Sequence, residues 1–456
     1  LAYALSDIIP RSVEAVVQGS VSRPERIGVL FQDPESQFCL FTVGDEVAFT
    51  LENRCVPPAD MPPRITAHLQ AVGLEVPLDQ PIAQLSGGMK QRLALAAVLA
   101  LEPEILFLDE PTAQLDPAGA QQALEAIRRA AGHRTVVIIE HNLDGVIDWV
   151  DRVILMTPDG RLLADGPPLA TLRHHADRIR EYGIWRPRSW ESPWSAVAGE
   201  TPDLGKQTDI AGDRPPARPL VRLEGCAIAY NGHPVWQGVN LEIFPGEWIA
   251  VLGVNGSGKS SLLRLLAGLL RPAAGRVWLS ERLRPAGQPL PAIGYVFQNP
   301  EHQFVTDSVY EEVALAARLA GWPEIRVQSE VERLLTEFGL QGLESANPFS
   351  LSQGQKRRLS VAGALIVPHP LLLLDEPTFG QDARTAVELL QRLQARHRQG
   401  TTIVMATNDL DLARAAATRL LVFGQGRLLY DGPPAPFLDR PERLAAAGLL
   451  ASRDGA

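Results

Sequence analysis

The chain has 456 residues, of which 45% are hydrophobic and 21% charged, and its formal net charge is -10. That length suits two domains of about 200 residues with a connector, and the acidic balance argues against nucleic acid as a partner. Cys39, Cys55 and Cys226 are few, odd in number and widely separated, so they suggest neither a disulfide framework nor a metal site and fit a reducing cytosol. No apolar run approaches the ~18 residues of a membrane span, so a role at a membrane requires a partner.

Four motifs occur twice at one constant offset, which predicts the duplication of a whole domain. The pattern Gly-Arg-Leu-Leu begins at Gly160 and again at Gly426, 266 residues later. The other matches at that offset are Gln32 with Gln298, Leu85-Ser-Gly-Gly-Met89 with Leu351-Ser-Gln-Gly-Gln355, and Asp109-Glu110 with Asp375-Glu376. We therefore expect a first domain over residues 1–169 and a second over residues 220–456.

Four apolar runs predict strands that are buried on both faces, as in a parallel sheet. They cover residues 105–109, 135–140, 371–375 and 401–406. Helical patterns separate them, for example over residues 93–100. This alternation predicts an α/β fold with ligands at the carboxyl ends of the strands.

Residues 170–219 lose this periodicity and are predicted to be a linker. Trp185, Trp190 and Trp194 are unusual in a free linker. Either its first half packs on a neighbouring domain, or the three rings are incidental aromatics of a surface loop. The prolines of the stretch are Pro187, Pro193, Pro202, Pro215, Pro216 and Pro219.

The second copy contains a phosphate-binding loop (P-loop). Residues 253–260 fit the pattern G-x-x-x-x-G-K-[ST], between a strand pattern at 248–252 and a helical pattern at 261–266. In such a loop the backbone N–H groups face anionic oxygens, Lys259 reaches the β- and γ-phosphates, and the Ser260 hydroxyl coordinates Mg²⁺. The predicted nucleotide-binding residues are Gly253, Val254, Asn255, Gly256, Ser257, Gly258, Lys259, Ser260 and Ser261.

Two carboxylates complete this predicted site. Asp375 ends a buried strand, where a second Mg²⁺-coordinating carboxylate is expected. The adjacent Glu376 is placed to polarise the attacking water as a general base. An Asp-Glu pair after an apolar run is usually a solvated strand end, but the P-loop makes the catalytic interpretation the better one.

Two further motifs carry a resemblance to a known family. Ser86-Gly-Gly-Met89 and Ser352-Gln-Gly-Gln355 each precede an Asp-Glu pair by 23 residues, and they resemble the signature motif of ATP-binding-cassette (ABC) ATPases. The resemblance covers nearly the whole chain outside the linker. It implies two tandem P-loop NTPase cassettes, each with a mostly parallel sheet core, a helical signature subdomain and an antiparallel β subdomain. It also implies ATP and Mg²⁺ as ligands.

The resemblance assigns roles to single residues. Tyr230 would stack on adenine, and Gln298 would sense Mg²⁺ and the membrane partner, with Gln32 as its counterpart in the first copy. Asp382 would be the aspartate of the D-loop, and Asp116 would be its equivalent.

In this family two cassettes pair head to tail, so that each nucleotide lies between one P-loop and the signature of the other cassette. The resemblance therefore implies an intramolecular pairing in which the second P-loop faces Ser86, Gly87 and Gly88, whose helix offers N–H groups to the γ-phosphate. The first nucleotide site would place Glu110 and His141 opposite Ser352, Gln353 and Gly354.

The first copy contains no P-loop. The apolar spacing of residues 1–9 repeats that of residues 262–270: Leu1, Ala4, Leu5, Ile8 and Ile9 match Leu262, Leu265, Leu266, Leu269 and Leu270. We therefore expect the chain to begin just after the missing loop, as a truncated first cassette. A degenerate cassette is the alternative, but it would normally keep the preceding strands.

The second copy departs from the family at one catalytic position. Family members place a histidine after the strand that follows the catalytic glutamate, as in Glu140-His141, whereas the second copy has Asn408 there. Asparagine donates a neutral hydrogen bond but cannot be an imidazole or imidazolium. Our hypothesis is slow hydrolysis at the second P-loop.

The Gln loops indicate which members of the family the chain resembles. Residues 31–38 and 297–304 are similar to the extended Gln loop of energy-coupling-factor importers. Those importers take up vitamins or transition-metal ions through an integral membrane coupling subunit and a small substrate-binding membrane subunit. The fused double ATPase resembles those associated with thiamine-precursor (hydroxymethylpyrimidine) or cobalt uptake. The resemblance implies a peripheral ATPase on the cytoplasmic face of the cell membrane.

Two other functions compete with this interpretation. Soluble double-cassette proteins that bind ribosomes and regulate translation carry a long, charged helical connector, which the Pro-rich connector here does not resemble. A nucleotide-binding module without turnover is the other alternative. The intact Glu110 and Glu376 count against it.

Overall fold

The computed structural model describes residues 6, 8, 18–22, 24–112, 115, 117–132, 134–140, 143, 145–185, 194, 218–284 and 292–450. The chain divides into two compact units, one of residues 1–179 and 185–187 and one of residues 180–184 and 188–456. Several sequence predictions fall outside the described residues. These are Asp116, His141, Trp190, most of the apolar pattern in residues 1–9, and the linker positions 186–193 and 195–217.

A three-stranded parallel sheet forms the centre of the first unit, and a separate antiparallel strand pair lies later in the chain. Its strands are β1 (Ile27–Leu30), β2 (Ile105–Asp109), β3 (Thr135–Ile139), β4 (Val153–Met156) and β5 (Leu162–Gly166). The helices are α1 (Val43–Asn53), α2 (Met61–Ala71), α3 (Gly87–Leu99), α4 (Pro117–Ala131), α5 (Pro168–His174) and α6 (Ala176–Glu181), the last of which continues into the second unit.

The second unit has a six-stranded sheet in the order β10-β11-β12-β8-β13-β14, parallel except for its last pair. A second, antiparallel sheet has the order β7-β6-β9. The strands are β6 (Val221–Tyr230), β7 (His233–Ile243), β8 (Trp248–Leu252), β9 (Ala274–Leu279), β10 (Ile293–Val296), β11 (Leu371–Asp375), β12 (Thr402–Ala406), β13 (Arg419–Gly424) and β14 (Arg427–Gly432).

The helices of the second unit connect these strands. They are α7 (Lys259–Leu266), α8 (Val309–Leu319), α9 (Glu324–Glu337), α10 (Gln353–Leu365), α11 (Ala383–Arg398), α12 (Leu410–Ala416), α13 (Ala435–Leu438) and α14 (Pro441–Ala446). No helix of the described residues is long and apolar enough to cross a bilayer.

The two units repeat the same local structure at the offset of 266 residues. The bounds of α1 and α8 correspond residue for residue, as do those of α3 and α10. The caps correspond as well, because the hydroxyls of Thr42 and Ser308 each accept a hydrogen bond from the backbone three residues later. The sequence repeat is therefore a structural repeat.

The predicted strands are confirmed to within one residue at each end. Strands β8, β11 and β12 are buried at every position, which explains their uninterrupted apolar sequences. They are adjacent and parallel in the sheet, so their carboxyl ends meet at one edge. The residues that follow them form the candidate site.

Replacing Leu373 by alanine tests how far the site depends on this sheet. Leu373 is 0% exposed in the middle of β11, so Leu373→Ala leaves a cavity and should lower the free energy of unfolding by about 2–5 kcal/mol. Urea unfolding of the whole chain measures the loss. Leu319→Ala is the matched control, because Leu319 is 80% exposed. Equal losses in the two variants would contradict the assignment of β11 to the core.

Candidate functional site

The loop between strand β8 and helix α7 has the geometry of a phosphate-binding loop. Gly258 has a φ of 91° and caps the helix that begins at Lys259. A Cβ atom at Gly258 would lie 2.6 Å from the side chains of both Val235 and Trp236. Only glycine fits there, so the chain can turn sharply from the strand into the helix. The helix N-terminus, whose first N–H groups have no partner within the helix, then faces the loop.

Lys259 lies inside this loop. It is 7% exposed, and its ammonium group donates hydrogen bonds to the carbonyl oxygens of Gly253 at 2.7 Å and Val254 at 3.3 Å. The buried hydroxyl of Ser257 has no hydrogen-bond partner among the described residues. A buried cation and a buried hydroxyl without a partner, both beside a helix N-terminus, fit the oxygens of a phosphate chain.

The two predicted magnesium ligands meet at this loop. The Ser260 hydroxyl donates a hydrogen bond to Asp375 Oδ1 at 3.1 Å. Burial raises the pKa of Asp375, against the hydrogen bond from Ser260 and the positive charges of Arg264 and Lys259. A hydroxyl and a carboxylate at this distance form the oxygen donor set that Mg²⁺ prefers. The residues therefore fit the ion.

Glu376 follows Asp375 in a strained and buried position. Its φ is 49°, a left-handed conformation that is costly for a non-glycine residue, and such strain is common at active sites. Oε2 accepts a hydrogen bond from the backbone of Asn408 at 3.3 Å, whereas Oε1 is buried without a partner in the described part of the chain. Burial raises the pKa of Glu376 to about 7, against the positive charge of Lys259 and with the negative charge of Asp375.

Asn408 joins the P-loop to this glutamate. Its Nδ2 lies 3.5 Å from Oδ1 of Asn255, at the limit of a hydrogen bond, and its backbone contacts Glu376. The buried Oδ1 of Asn408 has no partner among the described residues. The structure thus brings together Asn255, Glu376 and Asn408, three residues that the sequence places far apart.

The ring of Tyr230 is 42% exposed at the end of β6. Its hydroxyl lies 3.1 Å from the Ser261 hydroxyl in α7. This contact joins the antiparallel sheet to the helix that follows the P-loop. Adenine stacking by Tyr230 stays a prediction.

Both signature serines begin helices. Ser86 caps α3, and Ser352 caps α10 in a capping box with Gln355. Gly87 and Gly88 form the first turn of α3, and Gln353 and Gly354 form that of α10. Asp382 likewise caps α11 and accepts a hydrogen bond from the backbone of Thr385 at 2.9 Å. The N-termini of α3 and α10 leave N–H groups available to an anion.

Arg357 makes contacts with the Gln loop that the sequence did not predict. It is buried in α10, and its guanidinium donates to the carbonyl oxygens of Phe297 and Gln298. The ion pair of Lys356 with Glu301, at 2.6 Å, lies beside it. Three consecutive basic residues at 356–358 cannot all face solvent on a helix, and this pattern was the available clue. The signature helix therefore holds the Gln loop of its own cassette.

The first unit repeats part of the site. Gln32 Nε2 donates to Glu110 Oε2 at 2.6 Å, so the predicted Gln-loop residue reaches the predicted glutamate. Glu110 has a φ of 44°, close to that of Glu376. Asp116 and His141 lie outside the described residues.

Glu376→Gln should change the pH dependence of stability. The folded state raises the pKa of Glu376 from 4.5 to about 7, so its contribution to stability is full below pH 4.5 and is lost as the pH rises through about 7. Relative to wild type, the variant should gain about 3 kcal/mol in free energy of unfolding across this range. Urea titrations at several pH values measure this, with Glu281→Gln at an exposed position as control. A constant difference between wild type and Glu376→Gln would contradict the raised pKa.

Comparison with known proteins agrees with this geometry. The family model described as "ABC transporter" matches residues 8–113 and 236–379, more than half of the chain. The chain is 35% identical to the putative HMP/thiamine import ATP-binding protein YkoD of Bacillus subtilis, over 99% of this chain and 86% of that protein. It is 37% identical to a putative ABC transporter ATP-binding protein of Methanosarcina acetivorans, over 93% of this chain and 75% of that protein.

A solved structure agrees at the level of the fold. The archaeal ribosome recycling factor aABCE1, in complex with the ribosomal stalk protein aP1, superposes with a TM-score of 0.60 at 22% identity. The match covers 93% of this chain and 77% of that one. The chain belongs to the ABC transporter family and consists of two tandem ABC cassettes of the P-loop NTPase fold.

Proposed function

We propose that the chain is the ATP-binding and ATP-hydrolysing subunit that energises a membrane importer. One arrangement carries the proposal: Lys259 inside the P-loop, the contact between Ser260 and Asp375, and the buried Glu376 all meet at the same edge of the sheet. This is the constellation that phosphoryl transfer to water needs, because positioning and electrostatic stabilisation dominate its catalysis.

Each residue of the second site has its own role in binding or hydrolysing ATP. The P-loop amides and Lys259 bind the phosphates of ATP, and Tyr230 receives the adenine. Ser260, Asp375 and Gln298 would hold Mg²⁺, which neutralises charge on the phosphate oxygens. Glu376, with a pKa of about 7, accepts a proton from water near neutral pH. Asn408 offers a neutral amide at the position of the family's histidine.

Intramolecular pairing of the two cassettes would complete each site. In this proposal the second P-loop faces Ser86, Gly87 and Gly88, whose helix N-terminus stabilises the γ-phosphate. The other site combines Gln32, Glu110 and His141 with Ser352, Gln353 and Gly354, and Asp116 and Asp382 line the two D-loops.

The transported substrate is a vitamin precursor or a transition-metal ion in this proposal. Support comes from the name of the Bacillus subtilis relative, which refers to import of HMP/thiamine, and from the energy-coupling-factor character of the Gln loops. The partners would be an integral coupling subunit and a small substrate-binding subunit of the membrane, with the ATPase on the cytoplasmic face.

Lys259→Met tests the proposed function. The variant loses the cation that binds the phosphates, so ATP hydrolysis should fall by at least about 10²-fold. Arg282→Met, which removes an exposed positive charge elsewhere in the same unit, should hydrolyse ATP like wild type. In cells that lack the chromosomal copy, wild type but not Lys259→Met should restore uptake of labelled hydroxymethylpyrimidine or of radioactive cobalt. Uptake restored by Lys259→Met as well as by wild type would contradict the role of this nucleotide site in import, and co-sedimentation with ribosomes instead of membranes would contradict the importer assignment.

Asn408→His tests whether the missing histidine slows the second site. A histidine can donate to the γ-phosphate as an imidazolium, so we expect faster hydrolysis, by up to about 10²–10³-fold. The measurement is steady-state ATPase activity at saturating MgATP. Asn408→Ala is the control and should be slower than wild type. A histidine variant that hydrolyses no faster than wild type would refute the hypothesis.

A further inference from the structure

Two residues of the linker lie in the second unit and touch its catalytic loops. Gly183 belongs to the segment 180–184, and Trp194 lies in the segment that begins at residue 188. One of them reaches the loop that follows β12, and the other reaches the start of helix α11. Both of these regions follow adjacent strands of the sheet that positions Asp375, Glu376 and Asn408.

Trp194 is a buried anchor with a defined partner. It is 2% exposed, and its indole Nε1 donates a hydrogen bond to Asp409 Oδ2 at 3.0 Å. Asp409 Oδ1 accepts hydrogen bonds from the backbone of Asp411 and Leu412, which caps helix α12. The carboxylate is therefore held from two sides, by the linker through one oxygen and by the helix through the other. Hydrogen bonds to a charged carboxylate are stronger than neutral ones.

Asp409 is the neighbour of Asn408 in a short loop. Its backbone N–H donates to the Thr407 hydroxyl at 3.1 Å, and the backbone of Thr407 is bonded to Val251 in the strand before the P-loop. Asn408 stands between these two residues and contacts Glu376 and Asn255. A change in the position of Asp409 thus moves the backbone that carries Asn408.

Gly183 makes the second contact. Its carbonyl oxygen accepts a hydrogen bond at 2.7 Å from the backbone of Ala383, the first residue of α11. A Cβ atom at Gly183, which has a φ of 73°, would lie 2.4 Å from Asp382 Oδ1. The backbone at Gly183 therefore lies directly against Asp382, the aspartate that caps this helix.

We propose that two described residues of the linker, Gly183 and Trp194, are positioning residues for the second nucleotide site. Through Asp409, the indole holds Asn408 beside Asn255 of the P-loop and beside Glu376. Gly183 holds the N-terminus of α11 through its carbonyl oxygen, which accepts the hydrogen bond from the backbone of Ala383. The activity that this positioning serves is that of the proposed function.

The decisive experiment compares Trp194→Phe, Asp409→Asn and the double variant. Trp194→Phe keeps an aromatic ring but removes the donor. Asp409→Asn keeps an oxygen for the helix cap but turns an amide NH₂ toward the indole, which removes the acceptor. Each single variant should lower kcat by about tenfold with a smaller change in KM for MgATP, and the double variant should be no slower than either. The pH dependence of kcat is recorded for each variant and kcat is compared at its plateau, so that the charge lost in Asp409→Asn does not mimic a loss of positioning.

Hydrogen exchange of the backbone over residues 407–412 provides a readout that does not need hydrolysis. We expect faster exchange in Trp194→Phe and in Asp409→Asn. Gly183→Ala should give faster hydrogen exchange of the backbone at the start of α11, measured in the same experiment. Trp278→Phe is the matched control, because Trp278 is 47% exposed on β9, and it should leave both readouts unchanged.

The outcomes separate this inference from the proposed function. Wild-type kcat in Trp194→Phe, unchanged exchange over residues 407–412, or additive losses in the double variant would each overturn the positioning role. A wild-type chain that neither binds nor hydrolyses MgATP would refute the proposed function. In that case the exchange measurement still decides whether Trp194 holds the loop.

Discussion

The turn from strand β8 into helix α7 is the constraint on which the second half of the molecule depends. Gly258 leaves no room for a side chain against Trp236, and Lys259 is bonded to the carbonyl oxygens of its own loop. The turn fixes Ser260 at the start of the helix, where it meets Asp375 of β11. It also fixes Asn255, which meets Asn408 after β12. A phosphate-binding shape at one strand end therefore orders the loops after two neighbouring strands.

The arrangement buries several charged groups close together, and each of them changes the pKa of its neighbours. Burial raises the pKa of both Asp375 and Glu376; the positive charge of Lys259 acts against this rise in each, whereas the negative charge of Asp375 adds to it in Glu376. Arg357 is buried nearby, and burial lowers its pKa to about 10. Burial, and to a smaller extent the negative charge of Asp375, raises the pKa of Glu376 to about 7, the range in which a carboxylate works as a base at neutral pH.

The duplication preserved backbone geometry more strictly than side chains. Glu110 and Glu376 share the same left-handed conformation in both copies. At the position of Arg357 the first copy has Gln91, which is too short to repeat both bonds, and its buried Nε2 has no partner among the described residues. Asn408 in place of histidine is a second difference. The two units thus share a backbone frame but differ in the side chains around the candidate site.

The sequence by itself determined the motifs and the buried parallel strands that precede them, because both depend on local spacing. The P-loop follows from the positions of glycine, Lys259 and Ser260, and the buried parallel strands follow from uninterrupted apolar runs such as residues 371–375. Only the tertiary structure decided the raised pKa of Glu376, the hydrogen bond of Arg357 to the Gln loop and the burial of Trp194. For the tryptophan, packing and incidental exposure were equally consistent with the sequence, and its bond to Asp409 spans 215 residues. Burial and long-range hydrogen bonds arise only when distant segments fold together, so no local pattern could predict them.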